Sequence, residues 1–233
     1  MFLSLQPVSS SSARFCTIQD RSDVWPVATS SDTALPDFGA LAEGLMTGTL
    51  VATERGWRAV ETLRPSESVL TFDNGMRKLA SCASAPINRD PRSGNAAWGL
   101  MVPTGALGNR SAMTLLPSQL VLLGCDYAQR HFGTPCVLVP AALLEGFKGI
   151  ARCGLGVAPR SYMLAFADAE VVHANGSALV ACHATSKTAT PNYPCVTWAK
   201  ATAFRASLFG RKTQLDTASA AIVPFLSTLV RPA

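Results

Sequence analysis

Proton transfer near neutral pH and attack on a carbonyl carbon are the work of imidazoles and thiols. This chain carries three histidines, His131, His173 and His183, and seven cysteines, Cys16, Cys82, Cys125, Cys136, Cys153, Cys182 and Cys195. No two cysteines stand as a C-x-x-C pair, so neither a structural zinc site nor any other cofactor is expected. Cys182 and His183 are adjacent, and on a strand neighbours point to opposite faces. Cys125 and His131 could supply the nucleophile and base of a small hydrolase, but no motif flanks them. An odd number of cysteines in a chain this long reads as free thiols packed as small hydrophobes. That favours a reducing, cytoplasmic location, with export lacking a cleaved signal left open.

The elements that must position these groups are mostly strands. Thr49-Leu50-Val51-Ala52-Thr53 is β-branched, turns at Glu54-Arg55-Gly56 and returns through Trp57–Val60. Val69–Phe72 is followed by Asp73-Asn74-Gly75, and Asn-Gly favours the positive φ angles of a tight hairpin into Met76–Ala80. Met113–Leu116, Leu120–Leu123, Cys136–Val139, Tyr162–Phe166 and Glu170–Ala174 read as further strands. Residues 85–99 read as loop. A short helix is predicted near Ala141–Phe147. A second, amphipathic helix is predicted over Val196–Phe209, with Val196, Ala199, Phe204 and Leu208 on its apolar face and Gly210 as cap. The expected organisation is a leader over residues 1–43, a β domain over 44–182 and a basic tail over 183–233.

Composition limits the partners. The net charge of +5 resides entirely after residue 182, in Lys187, Lys200, Arg205, Arg211, Lys212 and Arg231 against Asp216. Scattered charges without interleaved aromatics do not make the dense patch that phosphate binding needs, so no nucleic-acid partner is expected. The most apolar runs, Leu115–Leu123 and Ile222–Val230, fall far short of the roughly 20 residues that span a bilayer. Residues 1–21 lack the charged and apolar regions of a secretory signal. A monomer is expected, with room for a protein partner of unspecified kind.

A series of segments, in order along the chain, carries a resemblance. Leu45-Met46-Thr47-Gly48-Thr49-Leu50-Val51-Ala52-Thr53 is similar to C-F-x-x-G-T-x-I-x-T, and Gly56–Pro65 to G-x-x-x-V-E-x-L-x-x-G-D. Gly105-Ala106-Leu107-Gly108-Asn109 matches G-A-L-G-N, and Leu116–Leu122 stands where S-P-x-H-R-V-L is typical. Val137-Leu138-Val139-Pro140-Ala141 is similar to L-V-P-A. Ala169–Gly176 is similar to H-E-V-V-x-A-x-G. Between about Gly44 and Gly176 the chain therefore resembles the Hedgehog/intein (Hint) domains of the bacterial kind. The resemblance implies a compact, mainly β fold with a short helix and, here, a C-terminal helical extension.

It also implies chemistry that this sequence is not equipped to perform. In the family a cysteine thiol attacks the preceding carbonyl, turning a peptide bond into a thioester. A T/S-x-x-H block then polarises that peptide and protonates the departing nitrogen. The matching positions here are Gly44 for the cysteine, Leu116 for the hydroxyl, Gln119 for the histidine and Ala169 for a late histidine. None can attack a carbonyl or exchange a proton near neutral pH. The four are expected to surround one point in space, with Gln119 hydrogen-bonded to backbone. Thr47 is a poor substitute nucleophile three residues away. His173 shares the parity of Ala169 on its strand and reads as a structural histidine. The implied activity is autocatalytic peptide cleavage or splicing. This copy is expected to be inactive and to serve as a folded binding or structural module, residual self-processing being the alternative.

Overall fold

The computed structural model of the chain describes residues 43–87, 97–186 and 191–209. Outside them lie most of the expected leader, part of the expected loop, Gly210, and Lys187, Arg211, Lys212, Asp216 and Arg231 of the tail.

Among the described residues the fold is built from short strands, because turn residues recur every few positions. The first are β1 (Leu45–Met46), β2 (Leu50–Thr53), β3 (Gly56–Ala59), β4 (Ser68–Thr71), β5 (Gly75–Lys78), β6 (Ser81–Pro86), β7 (Trp98–Val102), β8 (Met113–Leu115) and β9 (Leu120–Gly124). A short helix α1 (Asp126–Phe132) leads into β10 (Cys136–Pro140), β11 (Ala151–Gly154), β12 (Arg160–Phe166), β13 (Glu170–Ala174), β14 (Ala178–Ala184) and the helix α2 (Ala201–Phe209). The main path of pairing runs β11-β7-β8-β1-β12-β14-β13-β2-β4-β5. Val51, Val69, Leu100, Val139, Leu144, Val172 and Val180 are fully buried and form its core.

The turn chemistry reads through into structure. Gly75 takes φ +63° after Asn74, and β4 pairs with β5 from Ser68↔Lys78 to Thr71↔Gly75. Asn175 and Gly176, at φ +47° and +122°, turn β13 back onto β14.

Some expectations need correction. Part of the loop expected over 85–99 is strand: Ser81–Pro86 pairs with β12 and Trp98–Val102 with β11. The helix expected near Ala141–Phe147 is two 3-10 turns, Ala141–Leu144 and Phe147–Gly149, interrupted at Gly146 with φ +88°. The C-terminal helix begins as a 3-10 turn at Trp198–Lys200 and is α-helical only over Ala201–Phe209. Its buried residues are Ala201, Phe204 and Leu208; Ala199 is exposed. Phe204 meets the Tyr127 ring of α1 edge-on at 5.4 Å, and the Arg205 guanidinium donates to the Leu143 carbonyl at 3.1 Å.

One pairing shapes the surface around Gly44 and Gln119. β12 and β14 run parallel, in register only at Ala165↔His183 and Phe166↔Ala184. Before that point the two strands are not paired with each other, and a recess opens where they part.

Candidate functional site

The recess is lined by Gly44, Leu45, Gln119, Tyr162, Met163, Leu164, Ala181, Cys182 and His183. Three strands set its walls. β1 holds its edge through Leu45↔Tyr162 and Leu45↔Leu115, which carries Gly44 to the mouth. The tight turn Leu116–Gln119 closes its end: the Gln119 N–H donates to the Leu116 carbonyl at 3.0 Å. That turn is locked from behind, since Ala141 N–H donates to Gln119 O at 2.9 Å and Ala142 N–H to Pro117 O at 3.0 Å. The Leu138–Ala142 stretch thus positions the turn through backbone bonds.

The structure brings two of the four expected site positions into contact. Gln119 Oε1 accepts from the Gly44 N–H at 3.1 Å. Its Nε2 donates to Ala181 O at 2.9 Å and Leu120 O at 3.2 Å. An amide with both donors spent on carbonyls can present only its oxygen to Gly44, so its orientation is decided by the network. Gln119 is 2% exposed, and every polar atom of its side chain is satisfied.

Leu116, at the start of that turn, is fully buried and does not line the recess. Ala169 does not line it either. It precedes β13, and its carbonyl accepts from Asn192 Nδ2 at 3.5 Å. Of the four expected positions, Gly44 and Gln119 thus share a hydrogen bond, Leu116 opens the turn that ends at Gln119, and Ala169 precedes β13.

Gly44 is a glycine for two physical reasons. Its φ of +111° is one that side-chain-bearing residues rarely adopt. A Cβ there would also stand 3.0 Å from the Tyr162 carbonyl oxygen, 3.2 Å from Met163 Cγ and 3.3 Å from Ser161 Cβ.

Three groups at the recess carry no sequence motif. Glu43 Oε1 lies 3.4 Å from His183 Nε2. Burial raises the Glu43 carboxyl above its ordinary range, and His183 partly offsets this. Cys182 follows Ala181 into the lining, so it and His183 both border the recess despite alternating on β14. Burial, reinforced by the Glu43 and Glu170 carboxylates, pushes the Cys182 thiol far above its ordinary value. A thiol so held is a protonated sulfur, not a nucleophile. The local sequence offered no signal for Glu43, because its neighbour is set by the strand pairing of β12 with β14.

The other candidates are not assembled for chemistry. Cys125 precedes α1, and its thiol is raised by burial; His131 lies in the last turn of that helix, stacked on Tyr127 with ring centroids 4.2 Å apart. Thr47 is exposed in the turn after β1. His173 is 4% exposed, contacts the Phe72 ring edge-on, and burial lowers its pKa. All six cysteines among the described residues are free. Among those residues no cluster of His, Cys, Asp or Glu is arranged to hold a metal, and no helix is long and apolar enough to cross a membrane.

Among proteins of known structure, the chain is similar to a bacterial intein-like domain from Clostridium thermocellum solved in solution, at 12% identity and a TM-score of 0.44 over 61% of this chain and 99% of that one. It is also similar to a splice-inactive variant of the AceL NrdHF class 3 split intein, at 13% identity and a TM-score of 0.34, covering 62% of this chain and 100% of that one. No curated protein matches the chain. The family model described as "Hint domain" matches residues 44–185, the span that contains Gly44, Gln119 and the recess between them. The chain therefore belongs to the Hint domain family.

Proposed function

We propose that this Hint domain holds the Glu43–Gly44 peptide in its site without cleaving it, and serves as a folded binding or structural module. The observation that carries this reading is the direction of one hydrogen bond. Cleavage needs the nitrogen of that peptide to receive a proton as its bond to carbon breaks. Gln119 does the reverse, accepting from the Gly44 N–H at 3.1 Å. Its own donors are engaged by Ala181 and Leu120, and an amide side chain does not exchange protons near neutral pH. Gly44 contributes no nucleophile, and Cys182, the thiol in the recess, is kept protonated.

Backbone geometry supports the same reading. Restoring a cysteine at position 44 would strain φ and crowd Tyr162 and Met163, so the loss of the nucleophile is built into the backbone as well as the side chain.

The test is intact-mass analysis of the purified full chain after incubation with a thiol or with hydroxylamine. The expected result is one undivided mass, for the wild type and for the Gly44→Cys/Gln119→His double variant alike. A fragment beginning at Gly44 or Leu45 from the wild type would establish residual self-processing instead.

A further inference from the structure

The chain contains the dipeptide Asn-Gly twice, at Asn74-Gly75 and Asn175-Gly176. The same covalent chemistry is open to both: the glycine backbone nitrogen can attack the asparagine Cγ. Glycine permits that approach because it lacks a Cβ and tolerates unusual backbone angles, and asparagine is a thermolabile residue for this reason. The fold places the two pairs in opposite circumstances.

Asn175 is 5% exposed and fully engaged. Its Oδ1 accepts from the Leu50 N–H at 2.6 Å, and its Nδ2 donates to Ser111 Oγ at 3.1 Å and to Ala112 O at 3.4 Å. Its backbone N–H donates to Leu50 O, and its carbonyl accepts from Arg110. Gly176 is bridged to Asn109 and crowded by Arg110, whose Cγ and N would lie 2.9 Å from an added Cβ. Ring closure there requires a shift of backbone that several neighbours hold.

Asn74 and Gly75 are exposed at the tip of the β4–β5 hairpin, and nothing lies within 4 Å of where a Cβ on Gly75 would be. Solvent base reaches this exposed tip, whose backbone is held only through the Thr71 hydroxyl, which accepts from the Asn74 N–H at 3.3 Å and donates to the Gly75 carbonyl at 2.9 Å, and through the hairpin pairing. The Asn74 side chain is tied at one place only: its Nδ2 donates to Glu170 Oε2 at 3.0 Å and Oε1 at 3.2 Å.

That one tie gives the modification a consequence. The Glu170 side chain is 1% exposed and is shared between Asn74 and Arg77, whose Nε lies 3.0 Å from Oε1. Arg77 also reaches Asp168 at 3.4 Å. A carboxylate at position 74 would remove a donor from a buried acid and put a like charge against it, beside Asp73 and Asp168. Glu170 opens β13 opposite Cys182 of the recess, so this clamp joins the hairpin to the strand paired with β14, which lines the site.

We propose that Asn74 is a site of spontaneous deamidation that loosens the hairpin clamp on β13, while Asn175 in the identical dipeptide is protected by the fold. In the step, a bond forms between Gly75 N and Asn74 Cγ and the side-chain nitrogen leaves as ammonia with the peptide proton. Solvent water then opens the succinimide to aspartate or isoaspartate. No oxidant, reductant or enzyme is required.

The experiment is timed incubation of the full chain in mildly alkaline buffer, followed by peptide mapping with mass spectrometry and isoaspartate detection, and by thermal melting. Conversion is expected at position 74 with position 175 unchanged, together with a fall in melting midpoint of roughly 2–4 °C. Asn74→Asp should reproduce that fall before incubation, and Asn74→Ser should abolish it on incubation. Conversion at Asn175 at an equal or faster pace, an unmodified Asn74, or an Asn74→Asp chain that melts with the wild type would each overturn the proposal. The mapping of the wild-type chain decides even if Asn74→Asp does not fold.

Discussion

Two buried side-chain amides tie this domain together, and they do so for different reasons. Asn175 sits where the β13–β14 turn meets β2 and the 109–112 segment, and it joins Leu50, Ser111 and Ala112. Gln119 sits at the recess and joins Gly44, Leu120 and Ala181. Both are buried and both satisfy their polar atoms, as buried amides must. Asn175, however, also needs a positive φ of +47°, which asparagine tolerates better than other side-chain-bearing residues. It stands at a position that the family pattern leaves open, beside that pattern's glycine, whereas Gln119 stands where the pattern has a histidine. A position that serves backbone geometry is restricted to the few residues that fit the angle. A position that only pairs donors and acceptors can be filled by any side chain that pairs the same ones.

The largest effect that would test this contrast is expected at the turn. Asn175→Ala should leave the Leu50 N–H without its side-chain acceptor and place an unsuited residue at positive φ, lowering stability by about 3 kcal/mol in denaturant titration. A loss below that of the corresponding glutamine variant would break the comparison. Gln119→Leu keeps the volume but strands the Gly44 N–H and the Ala181 carbonyl. It should cost about 1–3 kcal/mol by the same measurement, and cleavage should still be absent. Were that variant neutral, the recess would not depend on its amide.

The smallest effect is in pH. His173 has its pKa lowered by burial from the ordinary 6.5, and its Nδ1 has no partner. The unfolded chain therefore takes up a proton that the folded chain refuses. Stability should be unaffected above 6.5 and fall as pH drops from there towards the lowered value, by at most about 1.4 kcal/mol per pH unit. Glu43 acts in the opposite sense, its raised carboxyl favouring the fold below 4.5 and losing that contribution as pH rises through the raised value. Denaturant titrations of His173→Phe and wild type at about pH 7 and pH 5.5 separate the two. The acid-side slope should be shallower in the variant, and equal slopes would remove His173 as the cause.

Much of the architecture could be read from local signals. The Asn74-Gly75 turn announces β4–β5, and Cys136–Val139 announces a strand ending at Pro140. Other elements left no such mark. Ser81–Pro86 is made of small residues without apolar alternation, and becomes a strand because β12 offers it a six-residue partner. Helix α1, at seven residues, is too short for its periodicity to stand out. The Ala141–Leu144 segment has helical composition but is pinned at both ends, by backbone bonds to the 117–119 turn and by Gly146.

At the site the division is the same. Residue types alone determined that Gly44, Leu116, Gln119 and Ala169 carry no nucleophile and no group that exchanges protons near neutral pH, because those are properties of the side chain itself. Only the tertiary structure decided that Gln119 would reach Gly44 across 75 residues, that Cys182 and His183 would line the recess beside them, and that Glu43 would meet His183. The physical reason is that strand pairing is a non-local choice. A shift of one residue between β12 and β14 would turn every side chain to the opposite face, and that register is set by burial summed over the whole domain.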